Sequence, residues 1–164
     1  MSESNEPLSV DDIRQKRSDL LKSLTDNART LSLNTTYHDE HCLGKIPKDI
    51  LNDAYASLDA ALPEHYFKVR YSKPWNYIFG FDNIVDIYIT FPDQEKVKTE
   101  IYNDIKNQQA LQFSNFFYEK LYSSFSNLYS DFHNYKRALV PKGFNVAMST
   151  TTFGGKVLTI TLTA

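Results

Sequence analysis

The spacing of apolar residues switches between a helical and an alternating period along this chain of 164 residues, and that switching restricts the fold more than any single motif does. Val10, Ile13, Leu20, Leu21, Leu24, Ala28 and Leu31 recur at helical spacing. Ser9 with Asp12 three residues on gives a variant capping box in front of them. A first helix over about residues 10–31 follows, with the stem of Arg17 lying along its apolar stripe. Residues 32–46 are polar and patternless and read as a loop. Pro47 suits the first turn of a second helix, which buries Ile50, Leu51, Ala54, Leu58, Ala61 and Leu62 and stops at Pro63.

From Phe67 the period becomes two. Phe67, Val69, Tyr71, Trp75, Tyr77 and Phe79, then Val85, Ile87, Ile89 and Phe91, predict two antiparallel strands joined through Gly80–Asn83. Pro92 and a capping Asp93 open a third helix. Helical spacing then runs to Leu139, but its phase jumps. Val97, Ile101 and Ile105 share one side; Phe113, Phe117, Leu121, Phe125, Leu128, Phe132, Tyr135 and Leu139 share nearly the opposite one. The reading is a helix over 93–106, a break within 106–110, and a long aromatic-rich helix over 111–139 that offers a surface for self-association. Pro141 and Gly143 end it. Phe144, Val146 and Met148, a turn at Phe153–Lys156, and Leu158, Ile160 and Leu162 predict a last hairpin.

The expected fold is therefore α+β: one domain over residues 9–164 behind a flexible segment 1–8, with a small antiparallel sheet of about four strands in two hairpins. The order is ααββααββ. Lone Cys42 excludes an intrachain disulfide, and no window reaches the roughly 20 apolar residues that span a bilayer. Both point to a cytoplasmic protein without membrane attachment. A net charge of −2 argues against a general polyanion binder. Residues 1–64 carry seven basic and twelve acidic side chains, against eleven and eight in the remainder, a hint about surfaces only.

Three groups of residues invite chemistry. His38, His41 and Cys42, with Asp39 and Glu40 between, are ligand types for zinc, but the chain supplies no second well-spaced ligand pair. They are the candidates for a metal-structured loop or a metal-dependent enzyme; otherwise no cofactor is expected. Asp82, Asp86, Asp93, Glu95 and Lys96 loosely resemble the carboxylates and lysine of metal-dependent nucleases, although Asp93 and Glu95 suit a helix start on dipole grounds alone. No nucleophile elbow, phosphate loop or HExxH helix occurs, and Gly154-Gly155-Lys156 is a hairpin turn.

The third group is the basic and aromatic strand, where alternation assigns Tyr66, Lys68, Arg70 and Ser72 to one face. Tyr66, Lys68, Arg70, Lys73 and Trp75, with Tyr118 from the long helix, make a candidate contact face for another protein, since aromatic planes and arginine dominate interface hot spots. The expectation is a non-enzymatic protein-binding, inhibitor or accessory protein. A single-stranded nucleic-acid binder using strand 66–77 is the alternative. A bias towards Asn, Lys, Tyr, Phe and Ser resembles proteins of AT-rich genomes, which makes a viral or phage accessory protein the concrete version.

Overall fold

The computed structural model describes residues 9–34, 39–73, 83–113, 115–150 and 153–162. Among them the chain forms α1 (Val10–Asn34), β1 (Glu40–Pro47), a 3-10 turn (Lys48–Ile50), α2 (Leu51–Ala61), β2 (Lys68–Ser72), β3 (Ile84–Thr90), α3 (Gln94–Ala110), β4 (Phe117–Tyr122), α4 (Phe125–Leu139), a 3-10 turn (Val140–Lys142), β5 (Phe144–Thr150) and β6 (Lys156–Leu162). The strands build two three-stranded antiparallel sheets, ordered β1-β3-β2 and β4-β6-β5.

The α+β class, both helix-opening caps and both hairpin pairings agree with the sequence reading. Ser9 Oγ accepts from the amide of Asp12 at 3.1 Å, and Asp12 accepts from the amide of Ser9 at 3.4 Å. Asp93 accepts from the amides of Glu95 and Lys96 at the head of α3. Val69 pairs with Ile89, and Val146 with Ile160. Trp75, Tyr77, Phe79 and most of the turn between β2 and β3 lie outside the described residues.

The single four-stranded sheet does not hold, because two strands lie where none was expected. β1 replaces the loop expected over 32–46. Between the pairs Cys42–Tyr88 and Gly44–Ile87 the register slips by one residue, a bulge at which Gly44 takes a φ of 133°. Its inward residues, Leu43 and Ile46, are consequently three apart, and the period of two disappears from the sequence.

β4 replaces the first half of the long helix expected over 111–139. Phe113, Phe117, Leu121 and Phe125 are spaced by four, which lines one face of a helix and equally one face of a strand. Ser124 marks the actual boundary, its side chain accepting from the amide of Asn127 to cap α4. The change of element reverses the faces. Phe113, Phe117 and Leu121, expected in the core, point to water, whereas Phe116 is buried against Phe144 with ring centroids 5.6 Å apart.

α4 sits between the sheets and is buried on nearly every side, from Ser126 and Leu128 through His133 and Asn134 to Leu139. The first core gathers Leu24, Ala28, Tyr55, Leu58, Val85, Ile87 and Ile89; the second gathers Ile101, Ile105, Leu139, Leu158 and Ile160. Phe125, Phe132 and Met148 touch both. α1 outruns this body. Leu24 and Ala28 are buried, but Val10, Ile13 and Leu20 are exposed rather than in the core, and the Arg17 guanidinium donates to Asp49 at 2.6 Å.

Candidate functional site

The residues expected to form one contact face are spread over the molecule. Lys68 and Arg70 do lie on the solvent side of the first sheet, and Lys73 is exposed just beyond β2. Tyr66 does not share their face: it is 5 % exposed, packs in the second core, and lies beneath the Arg137 guanidinium at 5.2 Å. Tyr118 belongs to β4 and turns inward towards Asp104. Trp75 lies outside the described residues.

The charges on the first sheet's outer face are largely spent on one another. Arg70 crosses β3, stacks on Tyr88 at 4.3 Å, and donates through Nε and Nη2 to both oxygens of Glu40 at 2.6 and 2.5 Å. The hydrogen bond from Arg70 holds the Glu40 carboxyl below its ordinary value. Lys45 donates to Asp86 at 2.7 Å. Such a strand presents few free cations to a phosphate backbone.

Neither metal-ligand pattern assembles among the described residues: no group of three or more His, Cys, Asp and Glu is close enough to hold an ion. His41 and Cys42 are neighbours in β1 and point to opposite faces. His38 lies outside the described residues, as does Asp82. Asp86 is paired with Lys45, and Asp93 caps α3.

Two polar clusters escape a reading of the sequence, since their members come from distant segments. In the first, His133 of α4 is 2 % exposed; its Nδ1 meets Asp59 of α2 at 2.5 Å and its Nε2 donates to the carbonyl of His65 at 2.7 Å. Lys136 bonds the other oxygen of Asp59. Burial alone would raise the Asp59 carboxyl, but hydrogen bonds from His133 and Lys136 more than offset this and hold it below the usual range. The cluster borders a cavity of about 420 Å³ also lined by Pro63, Arg137 and Pro141. Both nitrogens of His133 are engaged on the protein side, so no free base faces that space.

The second cluster joins β4 to α3 and α4. Asp104 accepts from the hydroxyls of Tyr135 at 2.5 Å and Tyr118 at 3.3 Å, while Tyr122 donates to Asp131. Lys120 sits 3.7 Å from each carboxylate and donates to Tyr135 at 2.9 Å. Burial, reinforced by the aspartates, pushes the Tyr118 hydroxyl up to about 12 and those of Tyr122 and Tyr135 further still. These tyrosines stay protonated donors at neutral pH. Both clusters are cross-links between elements.

Among the described residues, β4 is an outer strand whose edge is left largely open. The backbone of Phe117 is clasped by the side-chain amide of Gln112, which donates to its carbonyl at 2.9 Å and accepts from its N–H at 2.8 Å. This fixes the geometry of β4. Phe117, Glu119 and Leu121 turn their backbone groups away from β6, and Tyr118, Lys120 and Tyr122 turn theirs towards it. Among the described residues, the N–H and C=O of Glu119 and Leu121 have no partner. The side chains of the same residues stand on the face away from the helices, with Phe117 53 % and Leu121 80 % exposed. The Gln112 clasp also brings Leu111 and Phe113, both exposed, to the head of this edge.

The edge leading into β2 is met by the same device as far as Val69. Gln94 clasps Tyr66, donating at 2.9 Å and accepting at 2.6 Å; Asn134 clasps Phe67 at 2.9 and 3.0 Å; Ser130 Oγ meets Val69 N–H at 2.9 Å and its C=O at 3.3 Å. The fit is metric, since four residues of helix advance about 6 Å and two residues of strand about 6.8 Å. Ser126, Ser130 and Asn134, a polar stripe at spacing four within an aromatic helix, is the sequence signal that could have found this seam. No family model, no curated protein and no solved structure matches this chain.

Proposed function

We propose that the chain acts by binding another protein, and that it does so at the free edge and outward face of β4. One observation carries this reading: Glu119 and Leu121 combine backbone groups that have no partner among the described residues with an exposed apolar row, Phe117 and Leu121, on one six-residue strand. An open, partly apolar edge is a template for pairing with another chain, and proteins ordinarily blunt such edges. Of the four outer strands, β1, β2, β4 and β5, the shortest, β2, is blunted as far as Val69, and β4 is not blunted beyond Phe117. The titratable clusters of α4 and β4 are engaged in internal pairs, which supports binding rather than proton-transfer chemistry as the molecule's work.

The test is selection of binders from a displayed random-peptide library against the folded chain. Leu121→Asp is expected to weaken the selected peptides at least about tenfold by placing a charge in the apolar row, with circular dichroism unchanged. Arg70→Ala, on the first sheet, is expected to leave them within about twofold. Binders indifferent to Leu121→Asp would contradict the reading. So would binding that falls steeply with salt and is lost with Lys68→Ala and Arg70→Ala, the signature of phosphate contacts.

A further inference from the structure

Resting on β4 as the docking edge, we infer that the partner contributes an extended segment that adds to β4 as a strand, with an apolar, basic, apolar alternation along its outward face. The backbone argues for a strand. Glu119 and Leu121 present two N–H and two C=O groups at the spacing of an antiparallel or parallel ladder, and another extended chain satisfies all of them through its own backbone. Gln112 already imitates such a strand at Phe117 and so marks where the added segment begins.

The side chains set its pattern. Directly opposed residues of paired strands lie about 4.5–5.5 Å apart on the same face. Outward positions of the added strand beyond the Gln112 clasp therefore meet Glu119 and Leu121 in turn, and the one before them lies beside the Phe117 ring. Glu119 is exposed and has no ion pair among the described residues, so a lysine or arginine opposite it is favoured. Apolar residues on either side cover Phe117 and Leu121, and Phe113 flanks the start.

A second copy of this chain fits less well. Two-fold pairing of β4 centred on Glu119 opposes glutamate to glutamate, and pairing centred on Lys120 opposes lysine to lysine. Centred on Leu121, it sets Glu119 against Ser123 and leaves its charge unanswered.

The probe is a nine-residue peptide alternating valine and threonine, with one lysine in the middle of the valine face, titrated into the full chain. It is expected to bind, to protect the amides of Glu119 and Leu121 from hydrogen exchange at least about tenfold at saturation, and to lose binding when backbone nitrogens facing β4 are methylated. The same peptide with a central glutamate is expected to bind about fivefold more weakly, and Glu119→Lys to reverse that order. Binding without amide protection, binding indifferent to N-methylation, or a preference that Glu119→Lys does not reverse would overturn the inference. If the peptide fails while library binders still depend on Leu121, strand addition is wrong and the docking face stands. If no Leu121-dependent binder is found at all, the functional reading itself fails.

Discussion

Of the first sheet's two outer strands, β2 is shut against α4 and α3 as far as Val69; of the second sheet's two, β4 has no partner for Glu119 and Leu121 among the described residues. Both strands are short, and both have a glutamine or asparagine amide hydrogen-bonded to the backbone like a fragment of a neighbouring strand. At β2 three successive side chains do this, from Gln94, Asn134 and Ser130, and the seam is buried. At β4 one does, at one end, and the next two outward-facing residues are left. Outer faces differ in the same sense. Arg70 with Glu40 and Lys45 with Asp86 neutralise one another on the first sheet, while Phe117 and Leu121 stand bare on the second. The contrast between these two of the four outer strands supports the proposal that β4 receives a partner.

The largest effect that breaks this contrast is at Asn134. Asn134→Leu strands the N–H and C=O of Phe67 inside the protein, and at about 1–3 kcal/mol for each buried group left unpaired a loss of about 2–6 kcal/mol is expected in urea unfolding. A change below about 1 kcal/mol would mean that the seam is not a closure.

A smaller, pH-graded loss follows from Asp59, which ties α4 to α2 through His133 and Lys136. Its carboxyl is held below the unfolded value, so it contributes stability that is fully present above the ordinary carboxylate range and is lost as pH falls through the lower, folded value. The urea midpoint should drop between pH 5 and pH 2, and Asp59→Asn should flatten that part of the profile. An unchanged acid slope in the variant would remove this account of the tie.

At the open edge the same chemistry is cheap to remove. Gln112→Ala leaves the Phe117 groups to water and is expected to cost under about 1 kcal/mol, against the larger loss at Asn134. Smallest of all, Leu121→Thr is expected to change stability by no more than about 0.5 kcal/mol, as for an exposed surface position. A larger cost would show that Leu121 is covered in the folded molecule.

Much of the frame was legible from residues alone. Caps at Ser9 and Asp93, helical stripes in α2 and α3, and alternation in β3, β5 and β6 all follow from local physics. β1 was hidden because the bulge at Gly44 sets Leu43 and Ile46 three apart, and β4 because a spacing of four suits helix and strand alike. The candidate site was illegible for a different reason. Whether a strand is an edge depends on sheet order, and whether that edge is open depends on side chains remote in sequence, such as Asn134 against Phe67. Tyr66 misled because its neighbours Lys68 and Arg70 face solvent, while it precedes the strand and is turned into the second core.

Amide hydrogen exchange on the free chain, read residue by residue, tests the contrast between the two edges most directly. Phe67 and Val69 are expected to exchange only through large openings, while Glu119 and Leu121 exchange near the rate of unstructured peptide. Comparable protection at all four amides would show that β4 is already covered in the isolated protein and would contradict its assignment as the open edge.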